Sequence, residues 1–147
     1  MSDLERALAG MRLYTDGIDY MIVHAPAAAV TAACGVLAET REPFGAVLVD
    51  KDEITLVLAA EVWANYQHRL PDHEAAGPFR LVTFDTPLSL DMVGFLAAVS
   101  RALADAGVPI MAFSAYTRDH LFVPTPQFET ARATLEALAA RAAGDAA

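Results

Sequence analysis

Short apolar runs alternate with polar or proline-containing segments along the chain, and this pattern predicts β-strands. In the first half of the chain the runs cover residues 20–23, 45–49 and 54–59. In the second half they cover residues 80–85, 110–116 and 121–123. Because a charged or polar turn separates the last two runs of each half, we expect one β-hairpin in each half.

Apolar residues at helical spacing predict helices before, between and after these strands. The predicted helices cover residues 2–11, 27–39 and 60–67, and two more begin at Ser89 and Thr125. Serine is a preferred N-cap, so Ser89 is expected to cap its helix. The apolar stripe that follows it consists of Met92, Phe95, Leu96, Val99 and Leu103. Gly107 is expected to end this helix.

The two halves of the chain repeat one another. Residues 20–26 match residues 81–87 at an offset of 61 (87 − 26 = 61), and residues 45–57 match residues 112–124 at an offset of 67 (112 − 45 = 67). These matches place Pro26 on Pro87 and Asp52 on Asp119. A repeated strand–helix–strand–strand–helix unit predicts a duplicated α+β fold.

The repeat divides the chain into an N-terminal module at residues 1–67 and a C-terminal module at residues 68–147. The segment 68–78 at this division contains proline, glycine and several charged residues, and we expect it to be a loop. It also holds two histidines and two acidic residues. Their spacing matches no common metal site, so no metal is predicted.

The charge of the chain narrows the classes of partner. Ten Lys and Arg residues stand against 19 Asp and Glu residues, which gives a formal net charge of −9. Such a surface repels phosphate backbones and anionic lipids, so we expect neither a nucleic acid nor a membrane as partner. The uncharged stretch 20–38 is interpreted as a strand followed by a helix, and the protein is expected to be cytoplasmic. Cys34 is expected to be a small buried thiol.

Motifs in both halves are similar to those of one known family. In the second half they are SLDMVG at residues 89–94, AGV at residues 106–108 and RDHLFV at residues 118–123. In the first half they are LAGM at residues 8–11, DGIDYMIV at residues 16–23 and EITLVL at residues 53–58. On these motifs the chain resembles the ACT domain family, and in particular the tandem ACT proteins of uncharacterised function. It departs from the family pattern at Glu53, Pro109 and Arg118, and Arg118 replaces a histidine.

The resemblance implies a fold for each half. An ACT module is a βαββαβ, ferredoxin-like domain with an antiparallel sheet and helices on one face. Each half provides three predicted strands, whereas the module has four, so the fourth strand has no predicted place and could be shared between the halves. ACT modules usually pair through sheet edges or helix faces, so a homodimer is expected, with pairing of the two halves within one chain as the alternative.

The resemblance also implies a function. ACT domains bind amino acids at the turn between a strand and a helix, so we expect a regulatory or sensing protein that binds a small metabolite, an amino acid, without a cofactor. The predicted ligand-binding residues are Ser89, Leu90, Asp91, Met92, Val93, Gly94, Ser114 and His120. Backbone N–H groups near Met92–Gly94 are expected to bind the ligand carboxylate, and Asp91 is expected to bind its amine.

Two other functions stay open. The protein could be a structural or interaction protein without a ligand, or a small enzyme that uses His120 with an acid from another segment. Asp119 precedes His120, but successive strand residues point to opposite faces, and Asp119 is expected to be a turn residue. No common hydrolase, metalloprotease or nucleotide-binding motif occurs, so no catalytic residue is predicted.

Overall fold

The chain divides into two structural units in a computed structural model that describes residues 1–86 and 88–144. The continuous unit consists of Ile18–Phe79. The split unit combines Met1–Gly17 with the chain from Arg80 onwards. In chain order, the helices and strands are α1 (Asp3–Ala9), β1 (Leu13–Tyr14), β2 (Asp19–Pro26), α2 (Val30–Thr40), β3 (Ala46–Val49), β4 (Glu53–Ala59), α3 (Ala60–Tyr66), β5 (Glu74–Phe84), α4 (Phe95–Asp105), β6 (Met111–Ser114), β7 (Asp119–Pro124) and α5 (Phe128–Gly144).

The strands of the continuous unit follow the order β3-β4-β2-β5, and β4 is antiparallel to both β2 and β3. Ile54, Leu56 and Leu58 of β4 are fully buried, because alternate residues of this strand face the helices. They form one cluster with Val36 of α2 and Trp63 of α3. The apolar face of the sheet and the two helices therefore enclose the core of this unit.

The strands of the split unit follow the order β1-β5-β7-β6, with β1 antiparallel to β5 and β6 antiparallel to β7. Its core contains Phe84 of β5 and Leu121 of β7, both fully buried. Phe95 of α4 and Leu135 of α5 cover these strands. Mixed helices and antiparallel strands in both units confirm the predicted α+β fold with antiparallel sheets.

Strand β5 accounts for the fourth strand that the sequence leaves unplaced. Its first residues belong to the continuous unit and its last residues to the split unit, whose own fourth strand is β1. The prediction of a loop over 68–78 is wrong for its second part, because β5 begins at Glu74. Residues 74–78 are exposed and lack apolar alternation. Pro78 is also typical of loops, but a strand with no neighbour on one side tolerates a proline. The sequence of this segment therefore resembles a loop although it forms a strand.

The N-terminal helix packs with the second half of the chain. Leu8 of α1 and Met11 beyond it are buried in one cluster with Phe84 and Phe95. Ser2 caps α1 by accepting the N–H of Glu5, whose side chain in turn accepts the N–H of Ser2. The predicted module 1–67 groups this helix with the first half, whereas in the structure it belongs to the split unit.

The two predicted hairpins are present. In each of them the last residue of the first strand pairs with a residue of the second strand, and four residues lie between these two partners. Val49 pairs with Ile54 in one hairpin, and Ser114 pairs with Asp119 in the other. The offset between the hairpins is therefore 65 (119 − 54 = 65), and Ile54 is the residue equivalent to Asp119. The alignment of Asp52 with Asp119 is wrong, because the strand pairing of the two hairpins places Ile54, and not Asp52, at the position of Asp119. Pro87, predicted to match Pro26, lies outside the described residues.

Cys34 lies exposed on α2, so the prediction of a buried thiol is wrong. The inward face of this helix is formed by Ala33 and Val36, which leaves Cys34 on another side. Over residues 1–86 and 88–144, no helix combines the length and apolar character that crossing a membrane requires.

Candidate functional site

The chain between β5 and α4, which we call the β5–α4 loop, ends at a glycine with an unusual backbone. Gly94 is the N-cap of α4 and has a φ of 94°, which residues with a Cβ rarely adopt. The prediction that α4 begins at Ser89 is wrong. The backbone carbonyl of Ser89 instead accepts the N–H of Met92 at 3.0 Å in a turn of the loop. The helix begins only where Gly94 permits this backbone and Phe95 enters the core.

A cavity of about 250 Å³, the loop cavity, lies between the β5–α4 loop and the β6–β7 hairpin. It is lined by Leu88, Ser89, Leu90, Met92, Gly94, Phe95, Leu96, Ala97, Ser114, Ala115, Tyr116, Thr117, Arg118 and Asp119. A volume of this size is at the small end of ligand sites, which suits a small metabolite. The lining combines apolar side chains with hydroxyls and one charge of each sign.

The first turn of α4 gives the loop cavity a positive end. The carbonyl of Gly94 accepts the N–H of Ala98 at 2.9 Å, which opens the helical hydrogen-bond ladder. Gly94 has no side chain with which to cap the N–H groups of the first helical residues that follow it. Leu96 and Ala97, whose N–H groups belong to this first turn, line the cavity. Such a turn binds the oxygens of a carboxylate through its N–H groups and through the helix dipole.

An ion pair ties the hairpin to the β5–α4 loop. Arg118 Nε donates to Asp85 Oδ1 at 2.9 Å, and its Nη1 donates to Thr117 Oγ1 at 3.2 Å. The backbone N–H of Leu88 donates to the carbonyl of Thr117 at 3.1 Å. These contacts hold the two walls of the cavity together.

The start of the loop is also fixed to the chain before β1. The N–H of Asp85 donates to the carbonyl of Arg12 at 2.8 Å, and the N–H of Arg12 donates to Thr86 Oγ1 at 3.1 Å. Thr86 Oγ1 donates in turn to the carbonyl of Gly10 at 3.2 Å. The cavity wall is therefore held from both sides by hydrogen bonds within the protein.

Five of the eight predicted ligand-binding residues line the loop cavity: Ser89, Leu90, Met92, Gly94 and Ser114. Asp91 and Val93 do not line it and instead face a neighbouring depression of about 320 Å³ beside α1. Asp91 is exposed, and a hydrogen bond from Ser89 lowers the pKa of its carboxyl below the usual value. It is not the second residue of a helix, as the predicted start at Ser89 implied.

His120 lies outside the lining of the loop cavity. Its Nδ1 is 2.8 Å from Thr83 Oγ1, on the side of the strands away from Leu121. Burial lowers the pKa of His120, and the nearby charge of Asp119 partly offsets this effect. The structure therefore does not bring His120 together with the predicted residues of the β5–α4 loop.

The sequence misses the charged side chains of the cavity. Arg118 and Asp119 line it together with Tyr116. Asp119 faces the cavity because it shares a strand face with Leu121 and Val123, both buried in the core. Counting back along the strand from Leu121 would have indicated this orientation. No group of three or more His, Cys, Asp and Glu side chains that could hold a metal occurs in the described part of the chain.

Comparisons with known proteins agree with this architecture. A family model described as "ACT domain" matches residues 74–137, which include β5, α4, the hairpin and part of α5. No curated protein matches the chain in sequence.

Solved structures resemble almost the whole chain. A Vibrio cholerae protein of unknown function, described as a possible transport protein, is 28% identical, covers 92% of this chain and 95% of its own, and superposes with a TM-score of 0.73. An Agrobacterium tumefaciens protein is 21% identical over 88% of this chain and 89% of its own, with a TM-score of 0.70. The ligand-free regulatory subunit of aspartate kinase from Thermus thermophilus is 14% identical, covers 86% of this chain and 97% of its own, and has a TM-score of 0.65. At these last two identities the likeness concerns the fold.

Proposed function

Because a family model described as "ACT domain" matches residues 74–137, we propose that the protein is a regulatory or sensing protein that binds an amino acid in the loop cavity. The cavity at the first turn of α4 is the observation that carries this proposal. The fold likeness to a regulatory subunit of aspartate kinase supports a regulatory role. A cytoplasmic location is part of the same proposal.

The proposal includes a tandem arrangement of two ACT-like modules. The strand order β3-β4-β2-β5 of the continuous unit parallels the order β6-β7-β5-β1 of the split unit. In each unit three strands belong to the same kind of β-α-β-β segment. The outermost fourth strand follows that segment through α3 in the continuous unit (β5), whereas in the split unit it lies far before it in the chain (β1). We treat the predicted modules 1–67 and 68–147 as an approximate division of this tandem.

The lining of the cavity suits an amino acid. N–H groups of Phe95–Ala97 would bind the carboxylate, and Leu88 and Met92 offer apolar contact to a side chain. Ser89 and Ser114 supply hydroxyls that donate or accept hydrogen bonds. Leu90 and Gly94 complete the wall of the β5–α4 loop.

A thermal-shift screen with the twenty L-amino acids tests the proposal. An amino acid present at about 100 times its Kd stabilises the folded state by about 2.7 kcal/mol, which raises Tm by about 5–10 °C in a domain of this size. Ser114→Trp is expected to fill the cavity and abolish the shift. Ala112→Trp is the matched control, because Ala112 is exposed on the same strand but does not line the cavity.

Absence of a shift with every amino acid would reject amino-acid binding. A shift that persists in Ser114→Trp would place the ligand elsewhere in the protein.

We also propose a homodimer that forms through strand β3. Within the described residues β3 has one neighbour, β4, so its other edge is open. Leu48 and Val49 on this strand are 52% and 57% exposed. An open apolar edge favours pairing with a second copy of the same strand.

Light scattering at high protein concentration is expected to give twice the 15.6 kDa chain mass. Leu48→Lys is expected to shift the protein to a monomer, because charged side chains at an edge oppose pairing. Ala38→Lys, an exposed change on α2, is the control and should leave the dimer intact. A single-chain mass for the unmodified protein at all concentrations would reject the dimer.

A further inference from the structure

Three carboxylates lie at or beside the loop cavity, and they differ in their partners. Asp85 is paired with Arg118 at 2.9 Å. Asp91 accepts a hydrogen bond from Ser89 and lies in the neighbouring depression. The carboxylate of Asp119 lines the cavity and, within the described residues, makes no hydrogen bond or ion pair with another side chain.

The position of Asp119 brings its carboxylate to the end of an apolar strand face. It is the first residue of β7 and shares a face with Leu121 and Val123, which are fully buried. Asp119 itself is partly buried. Its carboxylate also lines the loop cavity, where a cationic group of a ligand would complement its charge.

The continuous unit offers an internal comparison. Ile54 occupies the position equivalent to Asp119, is fully buried and belongs to the core. The chain there passes from β2 to α2 through the three-residue turn Ala27–Ala29. In the split unit, ten residues separate Phe84 from Phe95 (95 − 84 − 1 = 10). One unit therefore closes this region with an apolar side chain and a tight turn, whereas the other opens it with a loop and a charge.

From this contrast we propose that Asp119 selects a ligand with a primary ammonium group, and that each chain binds one such ligand, in the split unit. This inference rests on the proposed function and names the residue that recognises the amine. An ammonium group carries three N–H donors and a full positive charge, so it complements a carboxylate that lacks a partner. The Nε and Nη1 groups of Arg118 donate to Asp85 and Thr117 rather than to Asp119.

The ligand then needs both a carboxylate and an ammonium group, one for each end of the cavity. The first turn of α4 binds the carboxylate, and Asp119 binds the ammonium. An α-hydroxy acid with the same side chain keeps the carboxylate but lacks the ammonium. The site is therefore expected to reject α-hydroxy acids in favour of α-amino acids.

Isothermal titration calorimetry on the full chain tests the assignment. The probes are the twenty L-amino acids and, for each one that binds, the α-hydroxy acid with the same side chain. The unmodified protein is expected to bind the amino acid about 10- to 150-fold more tightly than the hydroxy acid, which corresponds to one charge-assisted hydrogen bond. One ligand is expected per chain.

Three variants locate the ammonium contact. Asp119→Asn is expected to weaken amino-acid binding by the same 10- to 150-fold and to leave hydroxy-acid binding nearly unchanged. Asp91→Asn is the matched control and should bind as the unmodified protein does. Asp119→Ile copies the residue of the continuous unit, so it should keep or raise Tm while it abolishes the preference for the amine.

The outcomes separate this assignment from the proposed function. If amino acids bind but hydroxy acids bind equally well, or if Asp119→Asn binds normally, the assignment is wrong and the function stands. Loss of binding in Asp91→Asn alone would move the ammonium to the neighbouring depression, and two ligands per chain would contradict the single site. If no amino acid binds the unmodified protein, the proposed function fails and the assignment fails with it.

Discussion

Replacing Phe84 with alanine is expected to lower the free energy of unfolding by about 3–5 kcal/mol. Phe84 is fully buried at the end of β5. Its ring lies 5.2 Å from that of Phe95 in an edge-to-face arrangement, which adds to the burial energy. These two residues stand at the two ends of the β5–α4 loop, so the same change should also loosen the wall of the loop cavity.

Urea unfolding followed by circular dichroism measures this loss. Phe113→Ala is the matched control, because Phe113 lies in the same unit and meets Phe122 edge to face at 5.7 Å, yet it is only partly buried. Its loss of unfolding free energy is expected to be less than half that of Phe84→Ala. Equal losses in the two variants would mean that the contact between Phe84 and Phe95 does not anchor the core of the split unit.

Replacing Gly77 with alanine is expected to lower the free energy of unfolding by about 2–4 kcal/mol. Gly77 has a φ of 147°, which strains any residue with a Cβ. An added Cβ would lie 2.9 Å from the carbonyl oxygen of Tyr20 and 2.7 Å from the sulfur of Met21. The methionine can move, but the Tyr20 carbonyl belongs to β2 and cannot move without distorting the sheet.

The same chemical change at Gly35 is expected to have the opposite sign. Gly35 lies inside α2, and a Cβ there would meet nothing within 4 Å. Alanine is the better helix former, so Gly35→Ala should raise the free energy of unfolding by about 0.5–1 kcal/mol. Urea unfolding compares the two variants directly. A stable Gly77→Ala would show that β2 and β5 do not approach as closely as the structure has them.

The sequence predicts the elements that have strong apolar patterns and misses those whose place depends on distant partners. Strands β2, β4 and β7 follow from their apolar runs, because each has a face buried in a core. The first residues of β5 and the two residues of β1 have no such run. Their strand conformation comes from hydrogen bonding to neighbours far away in sequence, which local propensity does not describe.

The start of α4 shows a similar limit. Ser89 has the chemistry of an N-cap and an apolar stripe follows it, so local rules favour a helix there. In the structure Gly94 is the cap, and a Cβ on it would approach the side chain of Leu4 at 3.1 Å. Packing against α1 therefore contributes to where the helix begins, and α1 is 90 residues away along the chain (94 − 4 = 90).

The candidate site was predictable in its place but not in its charges. The motif at residues 89–94 leads to a wall of the loop cavity, and five predicted residues line this cavity. Asp119 is not recognised, because an aspartate beside a turn is ordinarily a turn residue. The role that we propose for Asp119 rests on the comparison with Ile54, which requires the register of both hairpins.

The division of the split unit has a consequence for how the protein is made. Leu13 pairs with Phe84, so β1 can join its sheet only after the ribosome has added Phe84, which lies 71 residues later (84 − 13 = 71). Ile18–Phe79, by contrast, is complete as one stretch of nascent chain and can fold first. Residues 13–14 are thus translated before the continuous unit but reach their strand position only after that unit is complete, and the loop cavity, which also needs the β6–β7 hairpin, forms later still.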